Sequence, residues 1–387
     1  MLRIEDIVAG LANVVGTTTP GTSGLAVLGS HPLLTEDNIA AIMPEGADKA
    51  EFLTAQLTAG ITQAVQRFAQ DKQLWRQSRD LMQRKPFFDG AGRLANTITN
   101  TGKIVGFEIT PVRSMGVTAQ IERIGLQFVS ALKEDVLHYM ALYLFHSSQE
   151  TPVRKIEAEV KGNGSFAWIT PTTPIYLPYV SYGEARGEMS YDGTNTGGSY
   201  YLVYNQNDIP YNLEAVSMSK DWSREPCGTC NIGNARDWRE LTKYLQISPF
   251  MVSAPNDWGS NPTLWDVGAM MYTNTQSYGL NCVVSVACDI SGFIISQKEA
   301  FANVIQKQTA YNLLRTLALN PYARVNRNQV NAMRSDILYE LDGNTQGRAT
   351  GLGADLERSY KALRISTEGI DRICLTCANK GVNYGIV

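Results

Sequence analysis

The chain has 387 residues, of which 44% are hydrophobic and 18% are charged. This length predicts two or three domains with a sizeable core, and the composition excludes wholesale disorder, which requires low hydrophobicity and high net charge. The 34 basic and 37 acidic side chains give a net charge of −3, so the chain lacks the global basic field that nucleic-acid binding favours.

The sequence contains no stretch of 18 uninterrupted apolar residues, so we expect no membrane partner. The N-terminus has two early acidic residues and lacks the apolar core of a signal peptide. We therefore expect the chain to be made and kept in a reducing compartment.

Residues 1–46 predict an extended N-terminal arm. Residues 17–24 have the Thr, Pro and Gly content of a linker, whereas residues 25–34 are more apolar than a solvated linker requires. Two interpretations remain open, a mobile tail and an arm that orders against a neighbouring subunit.

We predict that residues 47–88 form a separate segment, and that residues 48–85 within it form one long helix. Apolar residues recur every three or four positions from Leu53 to Phe68, which makes one apolar stripe, and the stripe continues with a phase shift through Leu74 and Met82. Pro86 is expected to end the helix. The stripe needs a partner, which would be the β domain of this chain or another copy.

Residues 89–222 predict a β-sandwich domain, because the period of the apolar residues changes from 3.6 to 2. Runs rich in Val, Ile, Tyr, Phe and Thr alternate with loops of Gly, Pro, Asn and Asp. Short strands without intervening helices favour an antiparallel, jelly-roll-like sandwich. The predicted strands are 104–112, 117–128, 136–147, 152–160, 165–169 and 199–204.

Residues 223–387 predict a mixed α/β C-terminal region. We expect a short helix at 238–244, a strand at 279–290 and three helices near 301–317, 330–341 and 356–363. The predicted fold class is therefore α+β, with a long N-terminal helix, a central antiparallel sandwich and a C-terminal helical region.

Two C-x-x-C pairs are the most specific chemical signal in the sequence. This spacing lets two thiolates converge on one metal ion, and two such pairs can form a four-thiolate zinc site. We predict a structural zinc site that staples the C-terminal region, because four thiolates leave no open position for a substrate. The predicted ligands are Cys227, Cys230, Cys374 and Cys377.

Other interpretations of these pairs remain open. Disulfides within or between the pairs are favoured if the mature protein works outside a cell, and separate redox sites would need a neighbouring βαβ unit that is not predicted. Cys282 and Cys288 lie on one face of a predicted strand and are expected to be small buried hydrophobic residues.

No enzyme motif is found, and we predict no catalytic residues and no enzymatic activity. The three histidines, His31, His138 and His146, adjoin no nucleophile motif. A basic patch at Arg315, Arg324, Arg327 and Arg334 lacks the aromatic platform of a nucleic-acid site, so subunit contacts or a solvated face are favoured there.

Seven short strings of the sequence carry a resemblance to a known family. They are PFFDGAGRL (86–94), GFEI (106–109), IGLQF (124–128), LYLFHSS (142–148), YLVYNQ (201–206), LDGN (341–344) and GIDRIC (369–374). Together they resemble a family of virion structural proteins from tailed phages and prophages of gut Bacteroidota. The resemblance covers roughly residues 70–387. It implies a structural role in a virion and carries over no catalytic residue.

The residues and the resemblance together favour a structural subunit of the phage neck (the head-to-tail connector) or tail. We expect it to be made in the bacterial cytoplasm, to assemble as a homo-oligomer and to contact other virion proteins. The alternative is a carbohydrate- or receptor-binding sandwich module of the tail. Its candidate glycan-stacking residues are Trp168, Tyr176, Tyr179 and Tyr182.

Overall fold

The computed structural model describes most of the chain. The described residues are 2–72, 74, 79–88, 96–112, 116–131, 136–179, 198–217, 220–227, 233–255, 258–319, 327–342, 344–345, 348–365, 370 and 372–374, with the backbone alone at 327–333, 342, 344–345 and 348–349. The helices are α1 (Ile4–Leu11), α2 (Glu36–Ile42), α3 (Lys49–Asp71), α4 (Ala235–Leu241), α5 (Ser291–Ser296), α6 (Ala302–Leu319), α7 (Arg327–Asp342) and α8 (Gly351–Ala362).

The strands confirm the predicted β elements within two residues at each end. They are β1 (Val15–Gly16), β2 (Leu25–Ala26), β3 (Asp80–Pro86), β4 (Asn96–Ile98), β5 (Lys103–Pro111), β6 (Val117–Ser130), β7 (Leu137–His146), β8 (Arg154–Lys161), β9 (Asn163–Ile169), β10 (Ile175–Pro178), β11 (Tyr200–Asn205), β12 (Leu213–Ser217), β13 (Leu245–Ser253), β14 (Met271–Tyr272), β15 (Leu280–Cys288), β16 (Asn344–Thr345) and β17 (Arg348–Ala349).

The chain divides into two compact units, and each is built from two separate segments. Unit 1 contains residues 1–78 and 289–370, and unit 2 contains residues 79–288 and 371–387. This division differs from the predicted succession of arm, helix, sandwich and C-terminal region. The C-terminal helices pack with the N-terminal segment, and β13, β14 and β15 complete the sheets of unit 2.

Unit 1 is helical, and α3 packs its apolar stripe against α6 and α1. The predicted helix stripe is confirmed, because its members from Leu53 to Phe68 are buried. The partner of the stripe is neither the β domain nor another copy but the later helix α6. Phe68 meets Phe301 edge-on at 5.1 Å between ring centroids, and a side chain on Gly60 would overlap Thr309 of α6.

The N-terminal segment differs from the predicted extended arm, because residues 2–46 fold within unit 1. Ile7 and Leu11 of α1 are fully buried, and β1 pairs in parallel with β2. Gln306 of α6 donates a hydrogen bond from Nε2 to the carbonyl oxygen of Ala26 at 2.7 Å. The apolar residues that exceeded the needs of a linker are therefore core residues of this unit.

The predicted continuation of the long helix beyond residue 72 is wrong. Residues 80–86 form β3, which pairs antiparallel with β15 and brings Met82 opposite Val286. Met82 is 2% exposed in this sheet. The phase shift in the apolar stripe marks the point where the chain leaves the helix for unit 2, and tertiary pairing overrides the local helical pattern there.

Unit 2 contains two antiparallel sheets, which confirms a mixed α/β protein with antiparallel sheets. One sheet has the order β3–β15–β6–β12–β4, and β9 and β10 pair with the other edge of β6. The second sheet has the order β14–β13–β5–β11–β7–β8. The sheets are sandwich-like, and Phe128 of the first lies 6.1 Å from Tyr204 of the second between ring centroids.

The second sheet is buried on both faces along β11, so all six residues of β11 are buried. Tyr204 lies on one face, and its hydroxyl donates to the carbonyl oxygen of Tyr278 at 2.8 Å. Tyr201 lies on the opposite face, where Trp265 meets it edge-on at 5.5 Å between centroids. The segment that carries Trp258 and Trp265 thus closes a second aromatic core.

Within the described residues, no helix has both the length and the apolarity needed to cross a bilayer.

Candidate functional site

The described residues contain one disulfide, between Cys288 and Cys374. Cys288 ends β15, Cys374 lies in the short turn Arg372–Cys374, and both are buried. The expectation that Cys288 is only a small hydrophobic residue is therefore wrong. The same expectation is met by Cys282, whose thiol is buried on the same strand. Burial raises the pKa of the Cys282 thiol, so the thiol stays protonated.

The four-cysteine staple is not shown by the structure. Cys374 is bonded to Cys288, and a sulfur in a disulfide is not a thiolate ligand. Cys227 is exposed, and Cys230 and Cys377 lie outside the described residues. In the described part of the chain, no group of three or more His, Cys, Asp or Glu side chains is placed to hold a metal ion. The zinc site stays a prediction for the reduced chain.

Both cysteines of the disulfide belong to unit 2, and they lie in its two separate segments. The chain leaves unit 2 after Cys288, forms the second segment of unit 1, and re-enters unit 2 at residue 371. The bond therefore joins Cys288, the last residue before the chain leaves unit 2, to the segment with which the chain returns to unit 2. A pairing across 86 positions has no signature in cysteine spacing, so the sequence offered no signal for it.

The outward face of α3 is a second candidate site, and between Glu51 and Arg67 its side chains are uncharged and mostly small. Lys49 and Glu51 are followed by no further charged residue on this helix until Arg67. A solvated helix face normally carries charged residues. A shallow depression of about 880 Å³ runs along the face and is lined by Ala50, Glu51, Thr54, Ala55, Thr58, Ala59, Thr62, Gln63 and Gln66.

The threonine hydroxyls on this face are satisfied by the helix itself. Thr54 donates to the carbonyl oxygen of Ala50 at 2.7 Å, and Thr58 and Thr62 donate to the carbonyls four residues before them at 2.9 and 2.8 Å. Because each hydroxyl donates to a backbone carbonyl, it needs no water molecule as its acceptor. A second helix can therefore cover the face without leaving these hydroxyl donors unpaired.

Lys220 is a buried lysine in unit 2. It is 2% exposed, and its Nζ lies 4.9 Å from the centroid of the Trp222 ring. Burial lowers the pKa of Lys220 to about 8, and no carboxylate among the described residues pairs with it. The Trp222 ring is held edge-on by Phe87 and Phe88, and its buried Nε1 donor meets no acceptor in the described structure.

His146 at the end of β7 has a serine beside it that the motif search did not identify. The Oγ of Ser148 lies 2.6 Å from His146 Nδ1, and burial lowers the pKa of His146. The imidazole is therefore neutral at pH 7. Its Nε2 is buried without a partner among the described residues, so the third group that would orient a catalytic base is not seen there. This pair closes a turn after the strand.

The predicted glycan-stacking residues Trp168, Tyr176 and Tyr179 are half-buried, and Tyr182 lies outside the described residues. Trp168 stacks on Phe166 at 5.3 Å between centroids. Both rings cover Gly125 of the neighbouring strand β6, where a side chain would overlap them. Trp168 and Phe166 therefore pack against the sheet at this position.

The predicted basic patch is described in part. Arg315 and Arg334 are exposed on α6 and α7. Arg324 and the side chain of Arg327 lie outside the described residues. No nucleic-acid partner is proposed from these residues.

No protein-family model matches the chain, and no curated protein matches it.

Proposed function

We propose that the chain is a structural subunit of a tailed-phage particle, a neck or tail component that assembles from copies of itself. The outward face of α3 is the observation that carries this proposal. Between Glu51 and Arg67 it is uncharged, most of its residues are small and allow close approach of a second helix, and its threonine hydroxyls already donate to the helix backbone. These are the properties of a helix face that is covered in an assembly.

The strings that resemble the phage family support placing this assembly in a virion of a tailed phage. The proposal includes a jelly-roll-like classification of the sheets, synthesis in the bacterial cytoplasm, contacts with other virion proteins and no enzymatic role. Copies of one chain form closed symmetric oligomers by default. We propose that α3 of one copy packs against the same face of the next copy.

Oligomeric state tests the proposed contact. An arginine at Ala59 places a long charged side chain on the face while keeping a residue of high helix propensity. Ala362→Arg is the matched control, because Ala362 is an exposed alanine at the end of α8. Native mass spectrometry and analytical ultracentrifugation should show an oligomer for the natural chain and for Ala362→Arg, and at least tenfold weaker association for Ala59→Arg.

A monomeric natural chain, or equal association of the two variants, would overturn the α3 contact. The virion assignment has its own test, which is mass spectrometry of particles purified from the host that encodes the chain. Presence of the chain at a fixed ratio to other particle proteins is expected. Its absence from intact particles would overturn the assignment.

A further inference from the structure

Unit 2 contains a cavity of about 470 Å³ that neither the sequence analysis nor the proposed function explains. Its walls come from Phe87 just after β3, from Val112, from the segment at Trp222, from α4 with the first residues of β13, and from Asn274. Its volume lies in the range that small-molecule sites occupy, roughly 300–1,000 Å³.

Two tryptophans form the aromatic walls of this cavity. Trp222 is 8% exposed, and it is fixed by Phe107 at 4.8 Å between centroids and by Lys220 over its ring. Trp238 is half-buried on α4. The indole N–H of Trp222 is buried and has no acceptor among the described residues.

The helix that carries Trp238 is held firmly. Asn234 caps its first turn, because Asn234 Oδ1 accepts from the backbone N–H of Arg236 at 2.9 Å. Lys85 of β3 donates from Nζ to Asp237 Oδ1 at 2.6 Å. The aromatic wall is therefore placed by a helix anchored to a sheet, which favours a preformed site.

The polar groups of the cavity are neutral. Gln246, Ser248 and Asn274 line it, and their side chains make no hydrogen bond to the described residues. No charged side chain of the described residues lines the cavity. A charged ligand would meet no counter-ion on these walls, and a purely apolar ligand would leave the amides and hydroxyl unpaired.

We propose that this cavity binds a neutral saccharide. One face of a sugar ring carries C–H groups that pack on a tryptophan ring, and its hydroxyls both donate and accept hydrogen bonds. Trp238 would stack on the sugar ring, and Gln246, Ser248 and Asn274 would pair with its hydroxyls. The proposal does not rest on the α3 contact or on the virion assignment.

The test is saturation-transfer NMR and calorimetry on the full chain with three neutral probes, cellotriose, maltotriose and chitotriose. At least one probe should bind. Trp238→Ala should weaken its binding at least tenfold, and Gln246→Ala, at an exposed position that leaves folding intact, should weaken it several-fold. Trp168→Ala is the matched control, a half-buried tryptophan on β9 that should retain binding.

Three results would overturn the proposal. One is that no probe binds the natural chain. Another is that Gln246→Ala leaves binding unchanged. The third is that Trp168→Ala loses binding as fully as Trp238→Ala, which would place the binding site at β9 and not at the cavity. Circular dichroism of each variant identifies a loss of fold.

Discussion

The ammonium of Lys220 lies 4.9 Å from the centroid of the Trp222 ring, and desolvation lowers its pKa to about 8. A lysine in an unfolded chain has a pKa of about 10.4. The unfolded chain therefore binds more protons between pH 8 and pH 10.4, and the free energy of unfolding should rise with pH across that window. Below pH 8 both states are protonated, and the full cost of burying the charge is present.

Lys220→Met should stabilise the folded chain, because methionine fills similar space without a charge. The gain should be on the order of 3 kcal/mol at pH 7 and should shrink as the pH rises from 8 towards 10. Urea unfolding of both proteins at several pH values measures this difference. A gain that does not change with pH would contradict the assignment of a buried, protonated amine.

Gly60→Ala should destabilise unit 1, because its new methyl group would overlap Thr309 Oγ1 on α6. Forcing an extra methyl into a packed helix contact costs about 1–3 kcal/mol. Gly292→Ala is the matched control, since Gly292 lies on α5 with open space around it, and it should stabilise the chain by up to about 1 kcal/mol. Thermal unfolding would show whether the two changes have opposite signs.

Reduction of the Cys288–Cys374 disulfide should lower the free energy of unfolding by about 2–4 kcal/mol. The physical reason is that the bond limits the freedom of the unfolded chain between the two cysteines. Denaturant unfolding with and without dithiothreitol measures the loss, and Cys288→Ala should remove the dependence on reductant. Equal stability of the oxidised and reduced natural chain would count against the bond.

The zinc prediction concerns the chain in its reduced form. Elemental analysis with native mass spectrometry on protein purified under reducing conditions should find one zinc per chain. The metal should be lost in Cys227→Ser and in Cys374→Ser, whereas Cys282→Ser, at a buried site on β15, should retain it. Absence of zinc, or zinc bound while Cys374 remains disulfide-bonded, would rule out the four-thiolate site.

Tyr360→Phe should destabilise unit 1 by about 1–2 kcal/mol. The Tyr360 hydroxyl donates to Gln308 Oε1 at 2.8 Å, and Gln308 Nε2 donates to Gln63 and Asn312. Loss of the hydroxyl leaves the Gln308 oxygen buried without this donor. Tyr211→Phe is the control, because Tyr211 is 89% exposed, and its stability in urea should match that of the natural chain.

The strands could be predicted from the sequence because their signal is local. Met140, Leu142, Leu144 and His146 share one face of β7 by the period of two, and all four are buried. The end of α3 could not be predicted, because Met82 is buried by its pairing with Val286 of β15, just over 200 positions further along the chain. Apolar spacing alone does not report such distant partners.

The candidate sites were less predictable than the fold. Cys374 was predicted as a zinc ligand, and its bond to Cys288 depends on where β15 ends relative to the turn Arg372–Cys374. The cavity at Trp222 and Trp238 likewise joins five separate segments that no short motif connects. The neutral face of α3 could have been found in the sequence, since its lack of charge between Glu51 and Arg67 is visible there.

The Cys288–Cys374 disulfide also changes how the chain responds to mechanical tension applied at its ends. Tension that reaches Cys288 passes through the sulfur bridge to Cys374, so the segment between them carries no load while the bond is intact. Those 86 positions would otherwise add roughly 300 Å to a fully stretched chain. The helices of that segment are thus shielded from mechanical extension, and oxidation sets how far the polypeptide can be drawn out.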